Sequence, residues 1–253
     1  GSTVNDASSY NNDGTNNGAS TVSGVDGAAF SFDGTNDYVD LGGLDIAGNQ
    51  MTLLAWIRAD DIERYGLQDD ESQGRIISKA TGYQEQDHYW MLSTYYNNGG
   101  PKLRFRLKTG GMTGTLMAAT GDIRDNTWYH AAAVYDGSQM RLYMDGELVG
   151  SGAQTGSISQ GPSIDAWVGG NPPSPTDKPW DGAIDDVRIY DRALSQSDIQ
   201  AIVDGGNPNQ DQCQDEGDCA VRNCQIATCT TGTPRTCSYS PDPACSGGDC
   251  GSN

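Results

Sequence analysis

Three groups of residues in this chain of 253 have the types and spacing to do chemistry. The first is rich in oxygen. Asn5, Asp6, Asn11, Asn12 and Asp13 fall close together and run into Gly14; Asp33, Asn36 and Asp37 follow, and Asp185 and Asp186 sit side by side much later. Calcium takes about six to eight oxygen ligands, several of them carboxylates, so such a set is a candidate cage. The same residues also build turns and Asx caps, and the spacing is not that of an EF-hand loop, which closes on a glutamate missing here.

The second group is aromatic and planar-polar. Tyr83, His88 and Tyr89 lie in "YQEQDHYW", Tyr95, Tyr96, Asn97 and Asn98 in "TYYNNGG", and Asn171 and Trp180 in "NPPSPTDKPW". Aromatic faces stack on the C–H surfaces of sugars while amides and guanidinium groups bind hydroxyls. Arg104 and Arg106 alternate with Leu103, Phe105 and Leu107, which puts both arginines on the face of a strand opposite its core face. Tyr83, His88, Tyr95, Tyr96, Asn97, Arg104, Arg106, Asn171 and Trp180 are therefore the candidate ligand-binding residues. Trp56, Trp90, Trp128 and Trp167 read as packing; for Trp180 and the Tyr95–Tyr96 pair, packing and ligand contact are equally good readings.

The third group is sulfur. All seven cysteines (Cys213, Cys219, Cys224, Cys229, Cys237, Cys245 and Cys250) lie beyond residue 212. None is spaced C-x-x-C and no histidine accompanies them, so they read as a disulfide framework formed in an oxidising compartment, with one cysteine left over.

Catalysis is poorly served. The chain has two histidines, His88 and His130, and no nucleophile elbow, zinc-binding helix or phosphate loop. Adjacent acids such as Asp185-Asp186 point to opposite faces of a strand, and "EQD" (85–87) is a weak imitation of a glycosidase pair. The chain is not expected to be an enzyme.

The elements that must position these groups are strands. "MTLLAWIRA", "RIISKA", "HYWMLSTYY", "KLRFRLKTG", "TWYHAAAVYDG", "QMRLYMDG" and "IDDVRIYDRAL" are short apolar or alternating runs punctuated by Gly, Asn and Asp. Asp136-Gly137 and Asp145-Gly146 each read as a tight hairpin with positive φ, and "AAFSFDGTNDYVDLGG" reads as two strands around an Asp-Gly-Thr-Asn turn. Only "LSQSDIQAIVDGG" has a helical period. A dozen strands so spaced predict an all-β, antiparallel sandwich or barrel over 1–206 with one short C-terminal helix, then a small disulfide-rich tail over 207–253.

Bulk properties exclude some partners. The net charge of −19, from 34 acidic and 15 basic residues, argues against nucleic acid. No run approaches the roughly 20 apolar residues of a membrane span. The chain opens Gly1-Ser2 without an initiator Met or a signal peptide, as expected of a processed chain.

"WYHAAAVYDGSQMRLYMDGELVGSG", preceded by "LLAWIRADD" and "RIISK" and followed by "WDGAIDDVRIYDRALSQSDIQAI", resembles the laminin-G-like, concanavalin-A-like jelly-roll modules of bacterial surface and secreted proteins. "NDASSYNNDGTNNGA" and "AAFSFDGTNDYVDLG" are similar to that family's opening, so the resemblance covers about residues 4–204. It implies a two-sheet jelly-roll sandwich and an extracellular, secreted or cell-surface, location. It also implies a carbohydrate-binding or adhesion role toward a polysaccharide or cell-surface glycan. The alternative is a structural subunit of an extracellular fibre, coat or matrix that contacts other copies of itself, or neighbouring domains, through the tail. The resemblance further implies a structural Ca2+ tying the N-terminal segment to the final strand, held by Asp6 with Asp185 or Asp186, and by Asp33 and groups near Asn11. The long acidic segment 60–74 and the proline-rich loop 169–180 depart from the family pattern at rims where specificity resides.

Overall fold

The computed structural model describes residues 1–62, 74–97, 100–205, 225–229 and 237–241, without the side chains of Asn97 and of the last two segments. The chain divides into two compact units, Gly1–Gln196 and Ser197–Asn253. In chain order the strands are β1 (Ser2–Val4), β2 (Gly14–Asn17), β3 (Ser20–Ser23), β4 (Ala28–Asp33), β5 (Tyr38–Asp40), β6 (Met51–Ala59) and β7 (Arg75–Ala80). They continue as β8 (His88–Asn97), β9 (Gly100–Thr109), β10 (Met112–Met117), β11 (Trp128–Tyr135), β12 (Gln139–Met144), β13 (Glu147–Ala153), β14 (Ala166–Val168) and β15 (Asp181–Tyr190). Helix α1 (Gln196–Val203) follows directly on Ser195, and β16 (Gln225–Cys229) pairs with β17 (Cys237–Pro241) in a separate ribbon.

Two sheets carry the first unit. One has eight strands in the order β1-β2-β5-β14-β7-β8-β9-β10, the other seven in the order β13-β12-β11-β6-β15-β4-β3. Neighbours pair antiparallel, as the short, turn-punctuated runs predict, in the two-sheet sandwich that the resemblance implies. The core lies between the sheets because each strand contributes alternate residues to it. Leu53, Ala55 and Ile57 of β6 and Ala131, Ala133 and Tyr135 of β11 meet Leu103, Phe105 and Leu107 of β9 and Trp90 and Leu92 of β8. Truncating one of the large members to Ala costs about 2–5 kcal/mol.

The two faces of β11 are both buried, for different reasons. His130, Ala132 and Val134 alternate with the core residues. The segment after β15 crosses this outer face: the Thr52 hydroxyl donates to Arg192 O at 2.8 Å and accepts from Leu194 N at 3.0 Å. A strand covered on both sides reads apolar on both sides.

Three turn expectations separate in the structure. Asp145 and Gly146 both take positive φ, 52° and 83°, as a type I′ hairpin requires. At Asp136-Gly137 only the glycine does so, at 93°. There Asp136 Oδ1 accepts the amides of Ser138 and Gln139, both at 2.8 Å, so a side chain closes a three-residue loop instead of a tight two-residue turn. The Asp-Gly-Thr-Asn turn joins no hairpin at all, because β4 and β5 belong to different sheets and the chain crosses the sandwich there. Gly182 of β15 has φ 135° and lies so close to β6 that a Cβ would strike Arg58 O, a position only glycine fills.

Candidate functional site

On the outer face of the eight-stranded sheet, polar side chains that alternate with the core converge on one amide. Asn171, in the loop between β14 and β15, is fully buried. Its Oδ1 accepts from Arg75 Nε, Ser78 Oγ and His88 Nε2, each at 3.1 Å. Its Nδ2 donates to Gly82 O at 3.1 Å, Pro172 O at 3.3 Å and Asp177 Oδ2 at 3.2 Å. Donors on one side and acceptors on the other fix the amide's orientation. The loop, β7 and the turn before β8 are thereby tied to one group.

His88 reaches this point through a β-bulge. Lys79 pairs with Trp90 but Ala80 pairs with His88, so β8 carries one extra residue there. Trp90 stays in the core while His88 joins the polar face. Because Asn171 Oδ1 is an acceptor, His88 Nε2 carries a proton. Burial pushes the imidazole pKa down to about 3, reinforced by the charges of Arg75 and Arg106 and opposed by Gln84 O. The ring is therefore neutral near pH 7. Its Nδ1 accepts from Arg106 Nη1 at 3.4 Å and also faces Gln84 O at 2.8 Å, an acceptor it satisfies only when protonated. Burial and the neighbouring cations prevail over that carbonyl.

β9 supplies the rest. Arg104 pairs with Ser93 and Arg106 with Met91 across the β8–β9 ladder. Arg104 Nε donates to Ser93 Oγ at 3.2 Å, and its guanidinium carbon lies 5.4 Å from the Tyr95 ring centroid. Arg75, Arg104 and His88 are buried, and Arg106 is 7% exposed. Tyr95 is partly exposed, so beside the network this face presents an aromatic ring backed by a cation. Close by, Lys108 Nζ donates to Gln86 O and sits 4.6 Å from the Tyr89 ring centroid.

The structure thus brings together His88, Arg104, Arg106, Asn171 and Tyr95 of the residues singled out from sequence, but as ligand contacts His88, Arg104 and Asn171 require correction, because all three are 0% exposed and bond within the fold. Tyr83, 59% exposed, stands in the turn before β8, and Tyr96 is half-buried opposite Pro101. Asn97 closes β8 opposite Gly100, and its side chain lies outside the described residues. Trp180 requires a correction. It is 1% exposed and belongs to the core, with Gly74 so close that a Cβ there would meet its Cε3 at 2.6 Å. No ring face is left for a sugar. Arg75, Ser78 and Ser93 were not anticipated; the available signal was a charged residue opening the otherwise apolar "RIISKA".

Residues 33–200 match the family model Laminin_G_3, of the concanavalin A-like lectin/glucanases superfamily. The chain belongs to the Laminin_G_3 family. Mouse pappalysin-1 is 29% identical over 137 residues, which are 51% of this chain and 8% of pappalysin-1, so the chain spans a small part of that relative. Domain 4 of AbnA, a GH43 extracellular arabinanase from Geobacillus stearothermophilus solved with arabinotriose, is similar with a TM-score of 0.56 at 20% identity, over 75% of this chain and 86% of that one. The binding domain of Paraclostridial Mosquitocidal Protein 1 is similar with a TM-score of 0.60 at 16% identity, over 90% of this chain and 58% of that one. Trypanosoma rangeli sialidase aligns over 76% of this chain and 29% of its own, with a TM-score of 0.52 at 17% identity. At such identities these structures share the sandwich fold.

In this Laminin_G_3 chain the carboxylates proposed for calcium already accept hydrogen bonds or pair with a cation. Asp6 accepts from Ser8 N, Ser8 Oγ and Asn12 N at 2.7–2.8 Å, and these bonds lower its pKa. Asp33 Oδ1 accepts from Thr35 N at 2.8 Å, and Asn11 takes φ 56° in its turn. Asp185, 7% exposed, receives Val25 N and Asp26 N on Oδ2 at 2.8 and 3.0 Å and Asp186 N on Oδ1 at 2.8 Å. Asp186 pairs with Arg188 at 2.8 Å. Among the described residues no three or more Asp, Glu, His or Cys side chains gather as a metal site. Asp6, Asn11 and Asp33 lie in their own turns, and Asp185 and Asp186 lie on β15. Of the cysteines, Cys213, Cys219, Cys224, Cys245 and Cys250 lie outside the described residues, while Cys229 ends β16 and Cys237 begins β17.

Proposed function

We propose that this Laminin_G_3 domain is an extracellular carbohydrate-binding module whose ligand contacts the outer face of the eight-stranded sheet around Tyr95. One observation carries the reading. Tyr95 is partly exposed and its ring is backed by the buried Arg104, which donates to Ser93, on the same face as the buried Arg106–His88–Asn171 cluster. Sugar recognition favours an aromatic face held rigid before the ligand arrives, because immobilising a side chain on binding costs about 0.5–1.5 kcal/mol. The superfamily's lectin and glucanase members, and the arabinotriose bound to domain 4 of the arabinanase, support a glycan as the ligand class. No helix among the described residues is long and apolar enough to cross a membrane. The secreted location rests on the family and on the cysteines' need for an oxidising compartment.

The test is a screen of the unreduced protein against a broad panel of polysaccharides and cell-surface glycans. Oligomeric state and release of free sugar are recorded in the same samples. Saturable binding that Tyr95→Ala weakens at unchanged melting temperature supports the reading. Absence of binding across the panel, together with self-association, sinks it in favour of a subunit of an extracellular assembly.

A further inference from the structure

The ribbon of β16 and β17 places two of the seven cysteines at one rung of a ladder. Its register runs Gln225↔Pro241, Ile226↔Ser240, Ala227↔Tyr239, Thr228↔Ser238 and Cys229↔Cys237. Directly opposite residues of an antiparallel pair have Cα atoms about 4.5 or 5.5 Å apart, depending on the type of rung. Both separations fall inside the roughly 4.4–6.8 Å window that a disulfide spans. Shifting the register by one residue would set Cys229 against a residue that is not cysteine, so the juxtaposition belongs to this pairing alone.

We infer that Cys229 and Cys237 form an intramolecular cross-strand disulfide closing the β16–β17 ribbon. The bond forms by exchange with an external small-molecule disulfide such as oxidised glutathione. One cysteine thiolate attacks the oxidant's sulfur and displaces a thiolate. The second cysteine thiolate then attacks the mixed disulfide, making the Sγ–Sγ bond and releasing a second thiol. Two cysteines are oxidised and one disulfide is reduced to two thiols. A two-stranded ribbon by itself is marginal in water, and a crosslink between its strands restricts the unfolded ensemble that competes with it. Pairing these two leaves an odd number of cysteines, so any link to another chain uses Cys213, Cys219, Cys224, Cys245 or Cys250.

The sequence makes the test direct. The whole chain is equilibrated in a reduced/oxidised glutathione buffer, alkylated without reduction, and cut with trypsin and chymotrypsin. Cleavage after Arg222, Arg235 and Tyr239 yields "NCQIATCTTGTPR" and "TCSY", so the second peptide carries Cys237 alone. The expected result is a mass for the two peptides joined, with fragmentation placing the link on Cys229. The link should persist in Cys224→Ser and vanish in Cys229→Ser. Recovery of "TCSY" alkylated at Cys237, or joined through Cys224 or any other cysteine, overturns the inference.

Discussion

Two polar regions of the sandwich handle the same problem in opposite ways. On the eight-stranded sheet, side chains distant in sequence converge: Arg75, Ser78 and His88 share one oxygen of Asn171, and Arg106 adjoins His88. In the oxygen-rich set, Asp6 and Asp33 serve their own turns, and Asp185 reaches from the last strand to two amides of one turn. Asp6 closes the turn over Ser8 and Asn12, Asp33 caps Thr35, and Asp185 fastens the amides of Val25 and Asp26. The difference teaches that residue type alone does not mark a site. A buried group whose partners come from several strands couples those strands, whereas a carboxylate satisfied by nearby amides secures a turn.

The strongest way to break this contrast is Asn171→Ala. It strips a partner from Arg75, Ser78 and His88 at once in a buried setting, and a loss of about 3 kcal/mol in denaturant unfolding is expected. A loss below about 0.5 kcal/mol, the range of ordinary surface substitutions, would show that the network does not couple its strands.

Next in size is the pH dependence. His88 and His130 are held neutral, with pKa values lowered to about 3 and about 4, in both cases chiefly by burial. The unfolded chain takes up protons as pH falls through about 6.5, and the folded chain does so only nearer 3–4. Stability is therefore full above about 6.5 and declines toward pH 4, by about 2 kcal/mol or more for each histidine. Unfolding curves from pH 7.5 to 4.5 should show this decline, reduced by about half in His88→Gln; a flat profile would contradict the buried neutral rings.

Smaller again is Asp185→Asn, which weakens charge-assisted bonds to Val25 and Asp26 by about 1–2 kcal/mol. Smallest is chelation. With the proposed ligands already satisfied by amides, EDTA should leave the melting temperature within about 1 °C. A larger fall, restored by calcium, would assign the oxygen-rich set to a metal, because a bound ion stabilises only the state that holds it.

These regions were unequally legible in the sequence. Strict alternation in "KLRFRLK" placed Arg104 and Arg106 opposite the core, because period-two patterning maps directly onto a face. The convergence on Asn171 was not legible, since it depends on β7, β8 and a loop 83 to 96 residues further along meeting in space, as His88 and Arg75 do with Asn171 Oδ1. His88 escaped the parity rule through the bulge opposite Lys79 and Ala80, which shows only in the register. Trp180 misled for a simpler reason. Its loop composition marks a rim, yet the ring turns inward to fill the core beside Gly74, where glycine leaves space for it. The fold was easier to read than the site because alternation and turn residues are local, whereas a site is a long-range coincidence.

In the proposed function, the outer face of the eight-stranded sheet presents Tyr95 to a glycan on a prebuilt polar base. Its most direct test is the dissociation constant of wild type and Tyr95→Ala for the tightest glycan found in the screen, alongside their melting temperatures. At least a tenfold loss of affinity, about 1.4 kcal/mol, is expected with melting unchanged. Equal affinity for the two proteins would contradict it.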